Sequence, residues 1–277
     1  MYFSYNGTSI YYEIHGNGIP IITLHGFPLD HQFMKCSFEP IFSKYPIKSF
    51  QRIYFDFPGM GMSTAGLSIS TSQDIVEVSE LFIDFLIKNQ RFVIVGESYG
   101  AFIARALAMH RRFSILGMIL VCPLTYPDDS LRTVSKIENL CKDQKFLSNL
   151  TSEEFEVLND SLVFQTKDNW KRLQSEIMQP FMRNQTPWVE NMRKKENYSL
   201  PYDVDAVDEP YDFPTLFLMG KQDNTVGYED AWKIFKNYTH GSYMVINGAG
   251  HALEIDQADL YHHICAHWLK QLEFFKP

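Results

Sequence analysis

The chain has 277 residues, of which 45% are hydrophobic and 21% charged, with a formal net charge of -8 and a pI near 5.6. That apolar fraction supports a sizeable core, so the composition excludes a globally disordered chain. The acidic balance argues against a nucleic acid or an anionic membrane as the main partner. The longest apolar stretch, residues 115–121, has the length of a strand rather than of a membrane span.

Strand and helix patterns alternate along most of the chain. Asn6-Gly7, a strong hairpin signal, lies between two strand-like runs. Such alternation predicts an α/β fold with a mostly parallel sheet, an antiparallel N-terminal hairpin and helices on both faces. The predicted strands are residues 2–5, 9–14, 20–24, 52–55, 92–95, 115–122, 215–219 and 242–246, and the predicted helices are 34–42, 72–88, 228–238 and 259–274, with another beginning near residue 101.

Residues 124–212, hereafter the insertion, differ in sequence pattern from the rest of the chain. Strand-like runs give way to polar helical patterns interrupted by Pro180, Pro187, Pro201 and Pro210, and the segment holds 17 acidic against 11 basic side chains. A solvated helical surface accounts for that charge. We predict a helical cap inserted after the sixth strand, with residues 1–123 and 213–277 forming the core domain.

The cysteine spacing and the N-terminal residues indicate the cellular location of the protein. The cysteines form no C-x-x-C pair, so we expect free thiols in a reducing cytoplasm and neither disulfides nor a metal site. The N-terminal residues lack the basic and apolar regions of an export signal, which favours the same cytoplasmic location. We expect no cofactor, and the oligomeric state stays open. The cysteines are Cys36, Cys122, Cys141 and Cys265.

A serine lies in a sharp turn between a predicted strand and a predicted helix. Gly96, Ser98 and Gly100 spell G-x-S-x-G directly after the apolar run 92–95. Glycines two residues on either side let neighbouring backbone approach without a side-chain clash. The free N–H groups at the start of the next helix face the same space and can stabilise an oxyanion. Ser98 is therefore the candidate nucleophile, although the motif alone also fits a tight turn with an inert serine.

Two later residues could activate that serine. A serine hydroxyl needs a base to take its proton, and the base needs a carboxylate to hold its tautomer. Asp223 follows the strand 215–219, and His251 follows the strand 242–246. The carboxyl ends of parallel strands share one edge of a sheet, so all three side chains should meet there. Asp230 is the alternative acid, although it also fits a helix cap.

Together these motifs resemble those of cap-bearing α/β-hydrolase fold enzymes. By that resemblance Ser98 is the nucleophile, His251 the general base and Asp223 its orienting carboxylate. The backbone N–H groups of Phe27 and Tyr99 would form the oxyanion hole. The five matching stretches are His25-Gly26-Phe27-Pro28, Asp56-x-Pro58-Gly59-x-Gly61-x-Ser63, Gly96 to Gly100, Gly220-x-x-Asp223 and Gly250-His251.

The resemblance implies a hydrolase of small carboxylic esters, thioesters or activated amides, with a small molecule as its partner. A serine at position 98 disfavours the epoxide hydrolases and haloalkane dehalogenases, which use an aspartate there. An aminopeptidase of the proline iminopeptidase type stays open as an alternative, as does a non-catalytic small-molecule receptor on the same fold. Glu97, beside the serine, has no evident role in the sequence.

The insertion is rich in large apolar side chains that could roof the serine edge of the sheet. With Phe27 beside the expected oxyanion hole, they would make an aromatic-lined pocket, although packing against the core accounts for many of them. Such a pocket suits a compact acyl group of about two to six carbons better than a long lipid. These side chains are Phe146, Phe155, Phe164, Trp170, Phe181, Met182 and Trp188.

Overall fold

The computed structural model describes residues 1–47, 49–272 and 274. One mixed sheet of eight strands has the order β1-β2-β4-β3-β5-β6-β9-β10, and β7 pairs with β8 apart from it. Strand β2 runs antiparallel to β1 and β4, and the other pairs are parallel. The strands are β1 (Tyr2–Tyr5), β2 (Thr8–Gly16), β3 (Ile19–Leu24), β4 (Phe50–Phe55), β5 (Phe92–Glu97), β6 (Ile115–Val121), β7 (Cys141–Lys142), β8 (Phe164–Gln165), β9 (Thr215–Gly220) and β10 (Gly241–Ile246).

The helices follow the alternation expected of the fold. Helices α4 to α9 lie between β6 and β9, within the insertion, and a π-helical segment, Leu173–Met178, joins α6 to α7. The helices are α1 (His31–Lys44), α2 (Ser72–Ile87), α3 (Tyr99–Arg111), α4 (Gln144–Leu147), α5 (Ser152–Ser161), α6 (Lys167–Arg172), α7 (Gln179–Arg183), α8 (Pro187–Met192), α9 (Lys195–Tyr198), α10 (Tyr228–Phe235), α11 (Leu253–Asp256) and α12 (Ala258–Leu272).

The central strands are buried because helices cover both of their faces. Every residue of β5 and of β9 is buried, as the unbroken apolar runs predict. Helix α3 is buried through ten consecutive residues, and its alanines let it lie close against β5. The serine turn between β5 and α3 is therefore fixed on both sides by buried, close-packed elements.

The predicted fold class is confirmed, and the differences are local. Asn6 and Gly7 both have positive φ, 46° and 77°, as a tight hairpin turn requires. Helix α1 is longer than the predicted 34–42, because the side chain of Asp30 accepts the Gln32 N–H and caps an earlier start. Helix α12 ends at Leu272, and residue 273 of the predicted helix lies outside the described residues.

The insertion contributes helices and the small β7–β8 pair, and none of its described residues joins the large sheet. Its treatment as a separate cap domain with bounds 124 and 212 stays a prediction. The prediction of no strand here was wrong in detail, because β7 and β8 pair over two residues each. Among the described helices, we find none with the length and apolar character that a membrane crossing demands.

Candidate active site

Ser98 occupies the strained turn that its sequence predicts. Its φ of 52° and ψ of -115° lie in a region that side-chain-bearing residues seldom adopt. Both flanking glycines are required by close backbone. A Cβ on Gly100 would lie 2.0 Å from the Leu24 carbonyl oxygen, and one on Gly96 would lie 2.6 Å from that of Gly100. The turn therefore presses α3 against β3 and presents the Ser98 hydroxyl beyond the sheet edge.

His251 lies between a hydroxyl and a carboxylate. Its Nε2 is 3.0 Å from Ser98 Oγ, and its Nδ1 is 2.9 Å from Asp223 Oδ2. Asp223 is only 1% exposed, and its Oδ1 accepts the N–H groups of Thr225 and Val226 at 2.8 and 2.9 Å. Those bonds fix the carboxylate so that its other oxygen faces the imidazole. The structure thus brings together the three side chains that the sequence singled out.

The loops after β9 and β10 are tied to each other. Gln222 Oε1 accepts the Gly248 N–H at 2.9 Å, and its Nε2 donates to Asn247 Oδ1 at 2.8 Å. Gln222 is 5% exposed, and its bond with Gly248 is buried. They set the distance between the loop that carries Asp223 and the loop that carries His251.

Two backbone N–H groups beside Ser98 are free to bind an anion. Tyr99 is the first residue of α3, where a helix leaves its N–H without an intrahelical acceptor. Across the described ranges, no protein acceptor takes the N–H of Phe27 or of Tyr99. The buried His25 holds the Phe27 loop, since its Nδ1 lies 2.8 Å from the Gly26 carbonyl oxygen and its Nε2 accepts the Phe57 N–H at 3.1 Å.

Glu97 is a buried carboxyl group next to the serine. It is 3% exposed, its Oε1 lies 3.5 Å from His251 Nε2, and its Oε2 has no hydrogen-bond partner among the described residues. Burial raises the pKa of Glu97 well above its ordinary value, although the neighbouring His251 pulls it down. Sequence reasoning assigned no role to Glu97, because neither its burial nor its contact with His251 can be seen in the motif.

The carboxyl groups around His251 control its proton affinity. Burial lowers the pKa of His251, but the negative charges of Asp223, Glu97 and Glu254 outweigh burial and raise it to about 9. Glu254 is itself buried, and burial raises its pKa to about 7. The imidazole therefore holds a proton more tightly than a free histidine does, and it can accept a proton only when the pH is high enough to remove that one.

The cleft at Ser98 has two arms that meet at the serine. The first arm, a cavity of about 190 Å³, is lined largely by apolar side chains, among them Leu29, Phe33, Leu173 and Ile177. The second arm, about 460 Å³, is lined by charged as well as apolar residues from the insertion and the core. Both arms are also bordered by Phe27, Ser98, Phe181, Thr225 and His251.

Other predicted residues have different positions. Asp230 lies away from the imidazole, where its Oδ2 accepts the Thr133 N–H and its Oδ1 pairs with Lys233 at 2.8 Å. Of the aromatic side chains predicted to form a roof, Phe181 lines both arms, whereas Trp170 is buried in a second core cluster. Trp188 packs on Gly59 and donates its indole N–H to the Ile69 carbonyl at 2.8 Å.

Two groups of described residues have the donor atoms to hold a metal ion. One is Cys122 with Asp223 and His251, and the other is Asp30 with His31 and Asp56. In the second group, Asp56 Oδ1 accepts the His31 N–H at 2.6 Å and lies 2.8 Å from its Nδ1. Asp30 Oδ2 pairs with Arg183 at 2.7 Å. These bonds already use the oxygen atoms that a metal would need.

Comparison with known proteins identifies the family. A family model described as the α/β hydrolase fold matches residues 19–258. A solved α/β superfamily hydrolase from Oenococcus oeni PSU-1 has a TM-score of 0.85 and 29% identity, with 99% of each chain covered. Monoacylglycerol lipase ABHD6 of Rattus norvegicus is 24% identical over 261 residues, covering 87% of this chain and 72% of that protein.

A bacterial esterase is similar at comparable identity. Pimeloyl-(acyl-carrier protein) methyl ester esterase of Legionella pneumophila (strain Paris) is 23% identical over 257 residues, covering 91% of this chain and 96% of that protein. The family match spans most of the chain, and the relatives carry the names of hydrolases. The chain therefore belongs to the α/β hydrolase fold family and is a hydrolase enzyme of that type.

Proposed function

We propose that this hydrolase cleaves small carboxylic esters, and by the same chemistry thioesters or activated amides, through a Ser98–His251–Asp223 triad. The observation that carries the proposal is the relay in which His251 lies 3.0 Å from Ser98 Oγ and 2.9 Å from Asp223 Oδ2. Relatives named as an ester esterase and a monoacylglycerol lipase support the same bond class. Because the chain is a hydrolase, we set the non-catalytic receptor aside.

In the proposed reaction, Ser98 Oγ attacks the ester carbonyl carbon while its proton passes to His251 Nε2. The carbonyl oxygen becomes an oxyanion, which accepts hydrogen bonds from the N–H groups of Phe27 and Tyr99. His251 then gives its proton to the leaving alcohol, and an acyl group stays on Ser98. Water then attacks the acyl carbon while His251 takes its proton, and His251 returns that proton to Ser98 Oγ as the bond to the acyl group breaks and the acid leaves. Asp223 holds the ring tautomer throughout, and no step uses a metal or cofactor.

The first arm of the cleft supports a preference for small substrates. Its volume of about 190 Å³ is below the range of roughly 300–1,000 Å³ of sites for drug-sized ligands. Its apolar lining favours a short hydrocarbon group. Under this proposal the insertion acts as a cap over the sheet edge that carries Ser98, with residues 124–212 as its bounds.

Active-site labelling tests the triad. Fluorophosphonate treatment followed by mass spectrometry should place the adduct on the peptide that contains Ser98, and Ser98→Ala should abolish both labelling and turnover. Ser43→Ala, which removes an exposed helical hydroxyl, is the matched control and should behave as wild type. Full turnover in Ser98→Ala would refute the triad. A screen of aminoacyl-naphthylamides beside nitrophenyl esters separates the aminopeptidase alternative, which predicts that the amides are cleaved faster.

A chain-length series tests substrate size. We expect kcat/KM for nitrophenyl esters to be highest for acyl groups of about two to six carbons, because the first arm is small. The rate should not rise when the substrate forms micelles. A preference that increases steadily to long chains, or a rate jump above the micellar limit, would show that the insertion opens and that the enzyme is a lipase.

A further inference from the structure

The second arm of the cleft has a chemistry that the ester-cleaving machinery does not use. It begins at Ser98 and His251, like the first arm, but its walls carry three cationic side chains, Arg132, Arg193 and Lys195. The chain as a whole has a net charge of -8, and the insertion that supplies these cations is acidic. A local excess of positive charge beside the nucleophile therefore needs an explanation of its own.

Arg193 lies next to the proposed oxyanion loop. Its guanidinium is 5.6 Å from the ring centroid of Phe27 and 5.3 Å from that of Phe181, so aromatic faces hold it on two sides. Phe27 in turn contacts the ring of Tyr99 at 5.5 Å. Rings orient a guanidinium but leave its N–H donors free. In the described part of the chain, Arg193 has no carboxylate at ion-pair distance.

Arg132 is held in place by neutral groups. Its Nε and its two terminal nitrogens donate to the carbonyl oxygens of Tyr126, Thr225 and Pro127, at 2.8 to 3.2 Å. These three bonds leave two of the five guanidinium N–H donors unused. Carbonyl oxygens fix the side chain but carry no net charge, and no carboxylate among the described residues pairs with it. The arm thus contains a second positioned cation whose charge is not neutralised.

The acidic residues of the arm do not cancel these two charges. Asp128 is engaged with Lys195 at 2.5 Å, and Asp129 is exposed to solvent. Burial raises the pKa of the Tyr198 hydroxyl, the positive charges of Arg132 and Arg193 oppose that rise, and the Glu97 carboxyl adds to it. Arg132, Arg193 and Tyr198 all line this arm.

We propose that the second arm binds an anionic group of the substrate, a carboxylate or a phosphate, through Arg193 and Arg132. This inference rests on the proposed function, because the two arms meet at Ser98 and would hold the two halves of one ester. The substrate class that follows is a small ester with an apolar group on one side of the scissile bond and an anion on the other. Guanidinium groups match the planar geometry of both anions.

Matched ester pairs test the inference and distinguish the two anions. Monomethyl glutarate and dimethyl glutarate differ by a carboxylate on the acyl side. Similarly, 1-acetylglycerol 3-phosphate and 1-acetylglycerol differ by a phosphate on the alcohol side. For wild type we expect kcat/KM per ester bond to be about tenfold or more higher for the charged member of at least one pair. Added salt should reduce that ratio, because ions screen the attraction.

Arg193→Gln should lower the charged-to-neutral ratio by about tenfold, and Arg193→Lys should keep part of it. Lys194→Gln removes the same charge from an exposed neighbour that does not line the arm, and it should leave the ratio and the rates at their wild-type values. A wild-type ratio of one or less for both pairs would overturn the inference. So would a high ratio that survives Arg193→Gln unchanged.

The outcomes also distinguish a failure of this inference from a failure of the proposed esterase function on which it rests. If Ser98 is labelled and the neutral esters are cleaved, but the charged esters gain nothing, only the anion site is wrong. If none of the four esters is cleaved and Ser98 stays unlabelled, the proposed esterase function is wrong, and the anion site is wrong with it.

Discussion

Replacing Gly26 with alanine tests whether the loop beside Ser98 needs the space that only glycine leaves. A Cβ at position 26 would lie 2.1 Å from Glu97 Oε2 and 3.2 Å from its Cδ. Glu97 is 3% exposed, so it cannot swing into solvent, and its Oε1 already lies 3.5 Å from His251 Nε2. The new methyl group must therefore push Glu97 toward His251 or push the backbone of residues 26 and 27 away from Ser98.

The size of the effect follows from that overlap. Non-bonded heavy atoms pack at about 3.5 Å, so relief of the contact with Glu97 needs a shift of about 1 to 1.5 Å. Overpacking of this kind costs about 1–3 kcal/mol of stability. A misplacement of about 1 Å near reacting atoms lowers the rate by about 100-fold. For Gly26→Ala we expect both effects, with kcat/KM for a short nitrophenyl ester reduced by about two orders of magnitude.

A double-mutant cycle identifies the clash as the cause. Glu97→Ala removes the carboxyl group that a Cβ at position 26 would meet, so adding Gly26→Ala in that background should cost little further activity. Glu97→Gln keeps the volume and is the matched control, in which Gly26→Ala should cost as much as in wild type. Ester hydrolysis gives the rates, and urea unfolding gives the stabilities. Wild-type activity in Gly26→Ala, or equal losses in all three backgrounds, would refute the reasoning.

Two further predictions concern the imidazole. Asp223→Asn should lower kcat by about 10,000-fold, because the amide favours the wrong tautomer of His251, whereas Asp230→Asn should stay near wild type; similar rates in these two variants would contradict the assignment. The acidic limb of kcat/KM should have its midpoint between 6.5 and about 9, since His251 must lose its proton to act as a base and the nearby carboxylates retain that proton. Activity should therefore rise as pH rises through this pKa. Glu97→Gln should move the limb to lower pH, and an unmoved limb would show that the Glu97 charge does not act on His251.

Much of the fold could be predicted because its signals are local. The β-branched run before Ser98, the Asn6-Gly7 turn and the helical spacing of 72–88 each determine an element without reference to the rest of the chain. The β7–β8 pair was missed because two residues are too few to show a period of two. The true start of α1 depends on the Asp30 cap, which only the folded backbone reveals.

Some residues of the candidate site could also be predicted from the sequence, and others could not. Ser98, Asp223 and His251 each follow a strand of the parallel sheet, so topology alone brings them to one edge, and their distances agree with that reasoning. Glu97 and Arg193 could not be assigned in this way. Glu97 is important because it is buried beside the imidazole. Arg193 is important because it follows the end of α8 and its guanidinium lies over the Phe27 ring. No periodicity in the sequence indicates either contact.

The insertion is fastened to the core on the side of the cleft that carries Phe27. Asn184, which is 4% exposed, donates from Nδ2 to the carbonyl oxygens of Pro28 and Leu29, each at 2.9 Å. Its Oδ1 accepts the Gly61 N–H at 2.9 Å. One buried amide therefore joins the insertion to the two core loops that follow β3 and β4, so the Phe27 loop and the insertion have to move together.

The side of the cleft that carries His251 is fastened as well, and this bears on substrate length. Asp256 Oδ1 accepts the N–H groups of Val163 and Phe164, at 3.0 and 2.9 Å, while its Oδ2 accepts that of Gly250 at 2.9 Å. Lifting the insertion far enough to admit a long acyl chain would break the two bonds from Val163 and Phe164 to Asp256, and each buried polar group left unpaired costs about 1–3 kcal/mol. The same motion would pull on the backbone next to His251. A short substrate, which fits without that motion, keeps the imidazole in place, and we therefore expect chain length to lower kcat as well as to raise KM.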